Sequence, residues 1–510
     1  MADNVLVRVS PSSAGEIGWA RAAAGLVLGG LSGLILFLAW RSLGWPLIHD
    51  APLMHYVAWR IGEGAVPYRD LFDMNFPGAY LLHAGVLALL GSGDLGFRVF
   101  DLAWLGGTCA LLGAYARPFG MGSAAAAALL FAAYHLAGGA WRAGQRDFLL
   151  VLFLLGGAHL VARYWEDGAS LRPLALAGLA LGAGMTLKPH AGLWWLVLAA
   201  TAAEGARRSA RPWWRAGAMV IGFGLLGPAA VAFWLWTAGG LAPFLDMLTR
   251  YALPLYSGLG RAPLWQALGG HPYGRDILIL LGMLAALSLW RAWAGRELDI
   301  RRGLLLMGLG YGAVHYGIQG KGWEYHLYPL MGFAVPLATS WVDHFQVQER
   351  HRASAAILGG LVLLTVVLGL KGVEAAEPQW IAEKERRVQS LVRDLAGRVE
   401  RGRTVQVLDT TEGGIHALFL LRLSQPSRFL YDFHFFHDVE HPYVQTLRQE
   451  FLSALGRRPP EFLVVFERGW PRGGFERLAA FPALSAWIEE GYVLERERDG
   501  YRIYARRSRP

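Results

Sequence analysis

The stretch AAAGLVLGGLSGLILFLAW, residues 22–40, decides the fold class because it contains no charged residue. At about 1.5 Å per residue, a helix of this length crosses the roughly 30 Å of hydrocarbon in a bilayer. The stretch is longer than the apolar core of most cleavable signal peptides, and no small-residue cleavage pattern follows it. The sequence therefore predicts that this helix stays in the protein as its first membrane span.

The composition of the whole chain agrees with a membrane protein. Of the 510 residues, 54% are hydrophobic, more than an ordinary soluble domain carries. The net charge of +9 would suggest a nucleic-acid partner in a soluble protein, but the arginines collect in short loops between apolar segments, as the positive-inside rule predicts. We therefore expect a membrane-embedded protein that binds no nucleic acid.

Further apolar segments complete a prediction of about eleven spanning helices. They lie near 99–116, 122–140, 148–162, 173–187, 190–204, 216–238, 276–290, 303–318, 327–342 and 353–370. A shorter apolar segment, 79–92, has the length typical of interfacial or re-entrant helices. If 79–92 does not span, the arginine-rich loops share the side of the N-terminus, which is then cytoplasmic. If it spans, that agreement is lost, so we prefer the first topology.

The chain divides into a transmembrane part, 1–371, and a C-terminal part, 372–510, whose charged and alternating sequence is typical of a soluble domain. Two predicted strands, a helix and a hairpin that turns at Asp499-Gly500 indicate an α/β domain. The preferred topology puts this domain outside the cytoplasm. The loops expected on the same side are 44–98, 141–147, 187–190, 239–275 and 319–326.

The first of these loops contains PLIHDAPLMHYVAWRIGEGAVPYRDLFDMNFPG, residues 46–78. Asp50 precedes a segment with helical apolar spacing, which predicts a short helix on the membrane surface ending at Gly62 or Gly64. The Asp50 carboxylate could cap this helix or serve a catalytic function. Asp70 and Asp73 lie in turn sequences, where we expect them to bond the local backbone, although either could line a sugar pocket.

Charged residues in WRAGQRD, residues 141–147, allow two interpretations. Arg142 and Arg146 could extend to the membrane interface and have no other function. Alternatively, their planar guanidinium groups could bind a phosphate, with Asp147 as a second carboxylate.

Cations in two further loops stand on the side that the positive-inside rule disfavours. They are Lys188 in LKPH, and Lys321 and His326 in GKGWEYH. Their position makes an anionic partner plausible. A zinc site at HFFHDVEHPY, residues 434–443, is the less favoured interpretation of three histidines that fit a surface loop.

The order of these motifs resembles the GT-C superfamily of membrane glycosyltransferases, in particular the bacterial family 39 group related to protein O-mannosyltransferases and lipid A aminoarabinose transferases. Members place an acid after the first helix, then a surface helix, a G-x-x-P-Y-x-D turn and a Pro-Gly pair. The matching positions are Asp50, GAVPYRD at 64–70, Pro77-Gly78, Arg146-Asp147, Lys188-Pro189 and the stretch from Lys321 to Pro329. The family commonly has Asp-Glu at the first position, whereas Ala51 follows Asp50 here.

The resemblance implies a reaction and a location. A sugar would pass from a polyprenyl-phosphate donor to an envelope lipid, glycan or protein, with inversion, at the external face of a bacterial inner membrane. Asp50 would be the general base and Asp147 a supporting acid. The candidates for the donor phosphate are Arg142, Arg146, Lys188, Lys321 and His326, and those for the sugar or acceptor pocket are His49, Tyr68, Asp70, Asp73 and Tyr325. No cofactor is expected; a divalent metal is possible, although no motif indicates one.

Two other functions stay open at this point. An oligosaccharide ligase or polymerase also joins lipid-linked glycans outside the membrane, and it differs in the length of its donor. A transporter of lipids or solutes would carry ionisable groups or broken helices near the bilayer midplane. The charges here cluster at loop edges, and the feature that favours transport is Asp101, together with several intramembrane glycines.

Overall fold

The computed structural model describes residues 11–168, 170–263, 273–344, 351–376, 379–400 and 402–507. Most helices of its membrane part coincide with the predicted apolar segments, whereas the short helix Leu241–Asp246 and a π-helix at Met247–Tyr256 lie in the predicted loop 239–275. In chain order, the helices are α1 Pro11–Ser42, α2 Asp50–Gly62, α3 Pro77–Leu90, α4 Asp94–Ala116, α5 Met121–Leu136, α6 Arg146–Asp167, α7 Arg172–Leu187, α8 Ala191–Arg208, α9 Trp213–Ala238, α10 Leu241–Asp246, the π-helix at Met247–Tyr256, α11 Gly274–Ala294, α12 Ile300–Gln319, α13 Tyr328–Thr339 and α14 His351–Ala376.

Six helical segments among the described residues are long and apolar enough to cross a bilayer. They lie within Gly25–Ser42, Asp94–Phe119, Arg146–Asp167, Trp213–Ala238, Gly274–Ala294 and Gly359–Leu395. A polytopic helical membrane protein is thus confirmed. The number of about eleven spans stays a prediction, because several predicted segments form shorter apolar helices.

Helix α3 does not lead the chain to the opposite end of the bundle. Arg98 near the start of α4 donates from Nε to the Ser42 hydroxyl at the end of α1, at 3.0 Å. Asp94 accepts a hydrogen bond of 2.8 Å from the backbone N–H of Leu47. The end of α1 and the start of α4 therefore lie side by side, which supports the topology in which 79–92 does not span.

The C-terminal domain has the predicted α/β character, with a four-stranded sheet of order β1-β2-β4-β3. Its elements are α15 Gln379–Leu395, β1 Val405–Leu408, α16 Gly414–Leu421, α17 Pro442–Arg457, β2 Phe462–Phe466, α18 Pro482–Gly491, β3 Tyr492–Arg498 and β4 Tyr501–Arg506. Strands β1 and β2 are parallel and wholly buried, whereas β4 is antiparallel to β2 and forms the predicted hairpin with β3. The predicted domain boundary at 371–372 falls inside α14.

The C-terminal domain is joined to the first loop by backbone and side-chain bonds. The backbone N–H of Phe72 donates to the Arg428 carbonyl at 2.7 Å. Arg428 donates from Nη1 to the Tyr68 carbonyl at 2.7 Å and pairs with Glu450. These contacts hold the domain over the ends of the membrane helices.

Helices α7 and α9 pack closely through glycines, a common arrangement where small residues let helix backbones approach each other. A Cβ atom at Gly182 would lie 2.5 Å from the Gly224 carbonyl oxygen, so no side chain fits there. A Cβ atom at Gly222, on the outer side of α9, would meet nothing within 4 Å.

We expect Gly182→Leu to lower the free energy of unfolding by about 1–3 kcal/mol or more, because the side chain forces the two helices apart. Gly222→Leu is the matched control and should leave stability nearly unchanged. Thermal unfolding of both purified variants in detergent measures the difference. Equal melting temperatures for the two variants would contradict this packing.

Candidate active site

A cavity of about 410 Å³ lies between the loops of the membrane part and the C-terminal domain. Seven predicted site residues line it: His49, Asp50, Arg146, Lys188, Lys321, Tyr325 and His326. They come from four loops or helix ends that are far apart in sequence. Loops that the sequence places on one side of the membrane therefore meet at one site.

The first element of the site is an ion pair between the starts of two helices. Asp50 is the first residue of α2 and Arg146 the first residue of α6. Arg146 donates from Nη2 to Asp50 Oδ2 at 2.9 Å. Within the described residues, the Asp50 carboxylate bonds this guanidinium and no backbone N–H of α2, so its contacts do not match the capping interpretation.

His49, directly before Asp50, lines the cavity and has an unusual backbone conformation. Its backbone has φ 62° and ψ −116°, a conformation that residues other than glycine seldom adopt and that costs free energy. Burial, followed by the charge of Lys384, lowers the pKa of His49 to about 4. The imidazole is therefore neutral at physiological pH, and its ring contacts the edges of Trp141 and Trp380.

A second charged group lies deeper, at Lys188. Its Nζ pairs with Asp147 Oδ2 at 3.1 Å, and Asp147 Oδ1 bonds His315 Nε2 at 2.7 Å. Asp147 is completely buried and does not line the cavity. Burial lowers the pKa of Lys188, and the Asp147 charge opposes that shift. Asp147 thus holds Lys188 in place from behind the cavity wall.

Lys321 connects the cavity wall to the π-helix. Its ammonium group donates to the Tyr256 carbonyl at 2.6 Å and also to the Leu259 carbonyl. The same nitrogen lies 4.4 Å from the centre of the Tyr256 ring and 5.4 Å from that of Trp470. Burial, followed by the charge of Arg261, lowers the pKa of Lys321 to about 8.

Arg142 lies away from the cavity, unlike the other cations predicted to bind phosphate. Its guanidinium is fully buried and forms an ion pair with Glu324, which also pairs with Lys371 at 3.1 Å. This position does not support contact with a donor phosphate. The sequence could not reveal it, because Glu324 follows Arg142 by almost two hundred residues.

Three predicted pocket residues of the first loop, Tyr68, Asp70 and Asp73, do not line the cavity. The Tyr68 hydroxyl donates to the Asn75 carbonyl at 2.6 Å, and Asp73 accepts from the Asn75 amide at 2.8 Å and from the Tyr80 hydroxyl at 2.7 Å. Asp70 pairs with its neighbour Arg69 at the surface. Tyr68 and Asp73 thus hold Asn75, which does line the cavity.

The C-terminal domain supplies cavity residues that sequence reasoning missed. They are Thr410, Thr411, Glu412, Tyr431, Phe433, Gly469 and Trp470. No local motif marks them, although the aromatic run YDFHFF at 431–436 is a signal that could have been used. They reach the cavity only because the domain docks on the first loop.

The histidines considered for zinc have structural partners instead. His434 Nδ1 and His437 Nε2 both bond the Tyr251 hydroxyl, at 2.7 and 2.8 Å. His441 accepts from the backbone N–H of Tyr443 at the start of α17. In the described part of the chain, no group of three or more His, Cys, Asp or Glu side chains is arranged to hold a metal ion.

Asp101, the residue that favoured a transporter, belongs to a buried network. It pairs with Arg98, bonds His135 at 3.0 Å and accepts from the backbone N–H of Gly144 at 2.7 Å. The network holds the loop before α6, from which Arg146 enters the cavity. Its contacts account for a charge at this depth without a transport path.

Part of the sequence matches a known family, and the fold is similar to that of solved structures. Residues 75–236 match the family described as dolichyl-phosphate-mannose-protein mannosyltransferase. ArnT from Cupriavidus metallidurans bound to undecaprenyl phosphate superposes with a TM-score of 0.55 at 12% identity, covering 96% of this chain and 98% of that one. The chain has a GT-C fold.

The GT-C fold is also that of the Archaeoglobus fulgidus oligosaccharyltransferase in its apo form. That structure gives a TM-score of 0.54 at 11% identity, covering 96% of this chain and 74% of that one. No curated protein sequence matches the chain significantly. The predicted resemblance to GT-C membrane glycosyltransferases is confirmed.

We expect Asp147→Asn to lower the free energy of unfolding by about 3 kcal/mol, because the substitution leaves Lys188 without its anion. Asp167→Asn, on the same helix, breaks only the exposed pair with Arg163, and should cost less than about 1 kcal/mol. Thermal unfolding in detergent compares the two variants. Similar losses in both would contradict the structural importance of the buried pair.

Proposed function

We propose that this chain is a membrane glycosyltransferase that moves a sugar from a polyprenyl-phosphate donor to a hydroxyl of an envelope acceptor. The observation that carries the proposal is one cavity that combines the Asp50–Arg146 pair, Lys188 and an apolar wall. The family match over residues 75–236 and the similarity in fold to ArnT, whose structure contains undecaprenyl phosphate, support it.

The donor phosphate binds between Arg146 and Lys188. A guanidinium has five N–H donors and an ammonium has three, so bonds to Asp50 and Asp147 leave donors on both for a phosphate. Both cations line the cavity. Charge-assisted bonds of this kind are the strong ones in proteins.

The isoprenoid chain of the donor follows the apolar wall of the cavity. Leu187, Leu248, Leu253 and Ile318 all line it. Leu253 is 62% exposed and Ile318 is 43% exposed, so the apolar lining continues onto the surface of the helices. A lipid can thus place its phosphate at the cations while its tail stays in the bilayer.

Asp50 acts as the general base. A hydroxyl is a poor nucleophile at neutral pH and needs a positioned group to accept its proton. As the acceptor oxygen bonds the anomeric carbon, its proton passes to the Asp50 carboxylate. The bond from the anomeric carbon to the phosphate oxygen breaks with its electron pair, so a single displacement inverts the configuration.

Arg146 links the two halves of this reaction. The departing polyprenyl phosphate gains one negative charge, and cations already in position stabilise it as it develops. The guanidinium contacts Asp50 on one side and can contact the phosphate with its remaining donors. Asp147 supports the reaction indirectly, as the anion that holds Lys188.

Lys321 and His326 line the cavity, but they do not provide the main positive charge that binds the phosphate. Burial holds the pKa of His326 well below its usual value, so the ring is a neutral hydrogen-bonding group. Lys321 uses two of its donors on backbone carbonyls. Tyr325 completes this side of the wall.

The reaction takes place on the external face of the bacterial inner membrane, with the N-terminus in the cytoplasm. The distribution of arginines between the loops supports this orientation. The acceptor is an envelope lipid, glycan or protein, and the proposed reaction uses no organic cofactor.

We expect Asp50→Asn to reduce sugar transfer by about 10²-fold or more, because the amide cannot accept the proton. Purified protein in lipid is incubated with radiolabelled polyprenyl-phosphate sugars, cell-envelope extract and divalent metal, and label in the acceptor is counted. Asp70→Asn is the matched control in the same loop and should transfer at nearly the wild-type rate. Near-normal transfer by folded Asp50→Asn protein would refute the base assignment.

A further inference from the structure

Four aromatic rings from two domains surround one end of the cavity, and we call them the aromatic box. Phe433 and Trp470 come from the C-terminal domain, and Tyr256 and Trp323 from the membrane part. Ring centres lie 6.0 Å apart for Tyr256 and Phe433, 5.6 Å for Phe433 and Trp470, and 5.5 Å for Trp323 and Trp470. All four residues line the cavity.

The aromatic box does not serve only as domain core. Tyr256, Trp323 and Trp470 are each half-buried, although they belong to the interface between two domains. They line the cavity together with charged and hydroxyl-bearing residues such as Lys321 and Thr411. Aromatic faces in such a setting suit a ligand with an apolar face and a polar edge.

A polar edge faces the same cavity from the loop between β1 and α16. Thr411 and Glu412 both line the cavity. The Glu412 carboxylate is fixed by Arg387 at 2.6 Å and Lys384 at 3.7 Å. It can accept hydrogen bonds from two neighbouring hydroxyls, because an ionised carboxylate has about four lone-pair sites.

This loop is held by hydrogen bonds to Asp409 and contains one residue in a strained backbone conformation. Asp409 accepts from the backbone N–H groups of Glu412 and Gly414, both at 2.7 Å. Thr411 has φ 64°, a left-handed conformation that is a genuine outlier for a β-branched residue. Strain of this kind persists where surrounding contacts impose it and is concentrated at ligand sites.

We infer that the aromatic box and the 410–412 loop form a pyranose-binding subsite that exists only when the C-terminal domain is docked. A neutral hexopyranose has the required chemistry: C–H groups on one face stack on Trp470, and hydroxyls at the edge bond Glu412 and Thr411. The inference rests on the proposed function and adds its sugar-recognition site. The sugar is supplied either by the donor or by a glycan acceptor.

The test measures binding to the full chain in lipid nanodiscs. The probes are a short-chain prenyl phosphate, the same lipid carrying a neutral hexopyranose, and a panel of methyl hexopyranosides. Trp470→Ala should weaken pyranose binding by about fivefold or more, whereas binding of the sugar-free prenyl phosphate stays unchanged. Trp470→Phe should retain most of the affinity, because it keeps an aromatic face.

Trp487→Ala is the matched control. Trp487 lies in the same domain and does not line the cavity. Its ring packs against that of Tyr492, with ring centres 4.8 Å apart. The Trp487→Ala variant should bind every probe like the wild type.

Where sugar transfer is observed, its KM identifies the source of the sugar. The KM of Trp470→Ala rises for the donor if the donor supplies the sugar, and for a glycan acceptor if the acceptor supplies it.

The outcomes separate this inference from the proposed function. Wild-type affinity of Trp470→Ala for all pyranose probes, with unchanged KM for both substrates, would overturn the subsite. If the wild type transfers no label and does not bind prenyl phosphate, the proposed function fails. Even in that case, loss of methyl pyranoside binding in Trp470→Ala, with binding retained in Trp487→Ala, would establish the subsite.

Discussion

The ion pair between Asp50 and Arg146 is the interaction on which the site depends. It joins the first residues of α2 and α6 across nearly a hundred residues of sequence, at 2.9 Å. In the proposed function, this pair provides the proton acceptor and a cation for the donor phosphate, in direct contact within one cavity. Because the guanidinium retains further donors, it can bind a leaving phosphate while it orients the carboxylate.

Other charges near the helix ends have partners around this cavity. Asp147 holds Lys188 from behind, Glu324 binds Arg142 away from the cavity, and Asp101 supports the loop before Arg146. Buried charges without partners would be costly. In the proposed function, Arg146 and Lys188 keep donors for an anionic substrate, in a cavity that the C-terminal domain helps to line.

The sequence predicts much of the membrane part, because apolar segments and arginine loops record topology directly. Lys188 stands out because it is a cation on the side where few are expected, whereas Asp50 and Arg146 stand out through the order of motifs that resembles the GT-C superfamily. Arg142 looked equivalent to Arg146, since only the fold reveals its pairing with distant Glu324. Trp470 and Glu412 were invisible as site residues because docking of two domains, not local pattern, brings them to the cavity.

The most direct measurement is an electron cryo-microscopy structure of the protein in lipid nanodiscs with a polyprenyl phosphate. We predict density for the phosphate within hydrogen-bonding distance of both Arg146 and Lys188, and density for the isoprenoid chain along Leu253 and Ile318. Phosphate density only at the opposite end of the helices, near the arginines Arg207 and Arg208, would contradict this prediction. In that case Asp50 would lie too far from the donor phosphate to act as the general base.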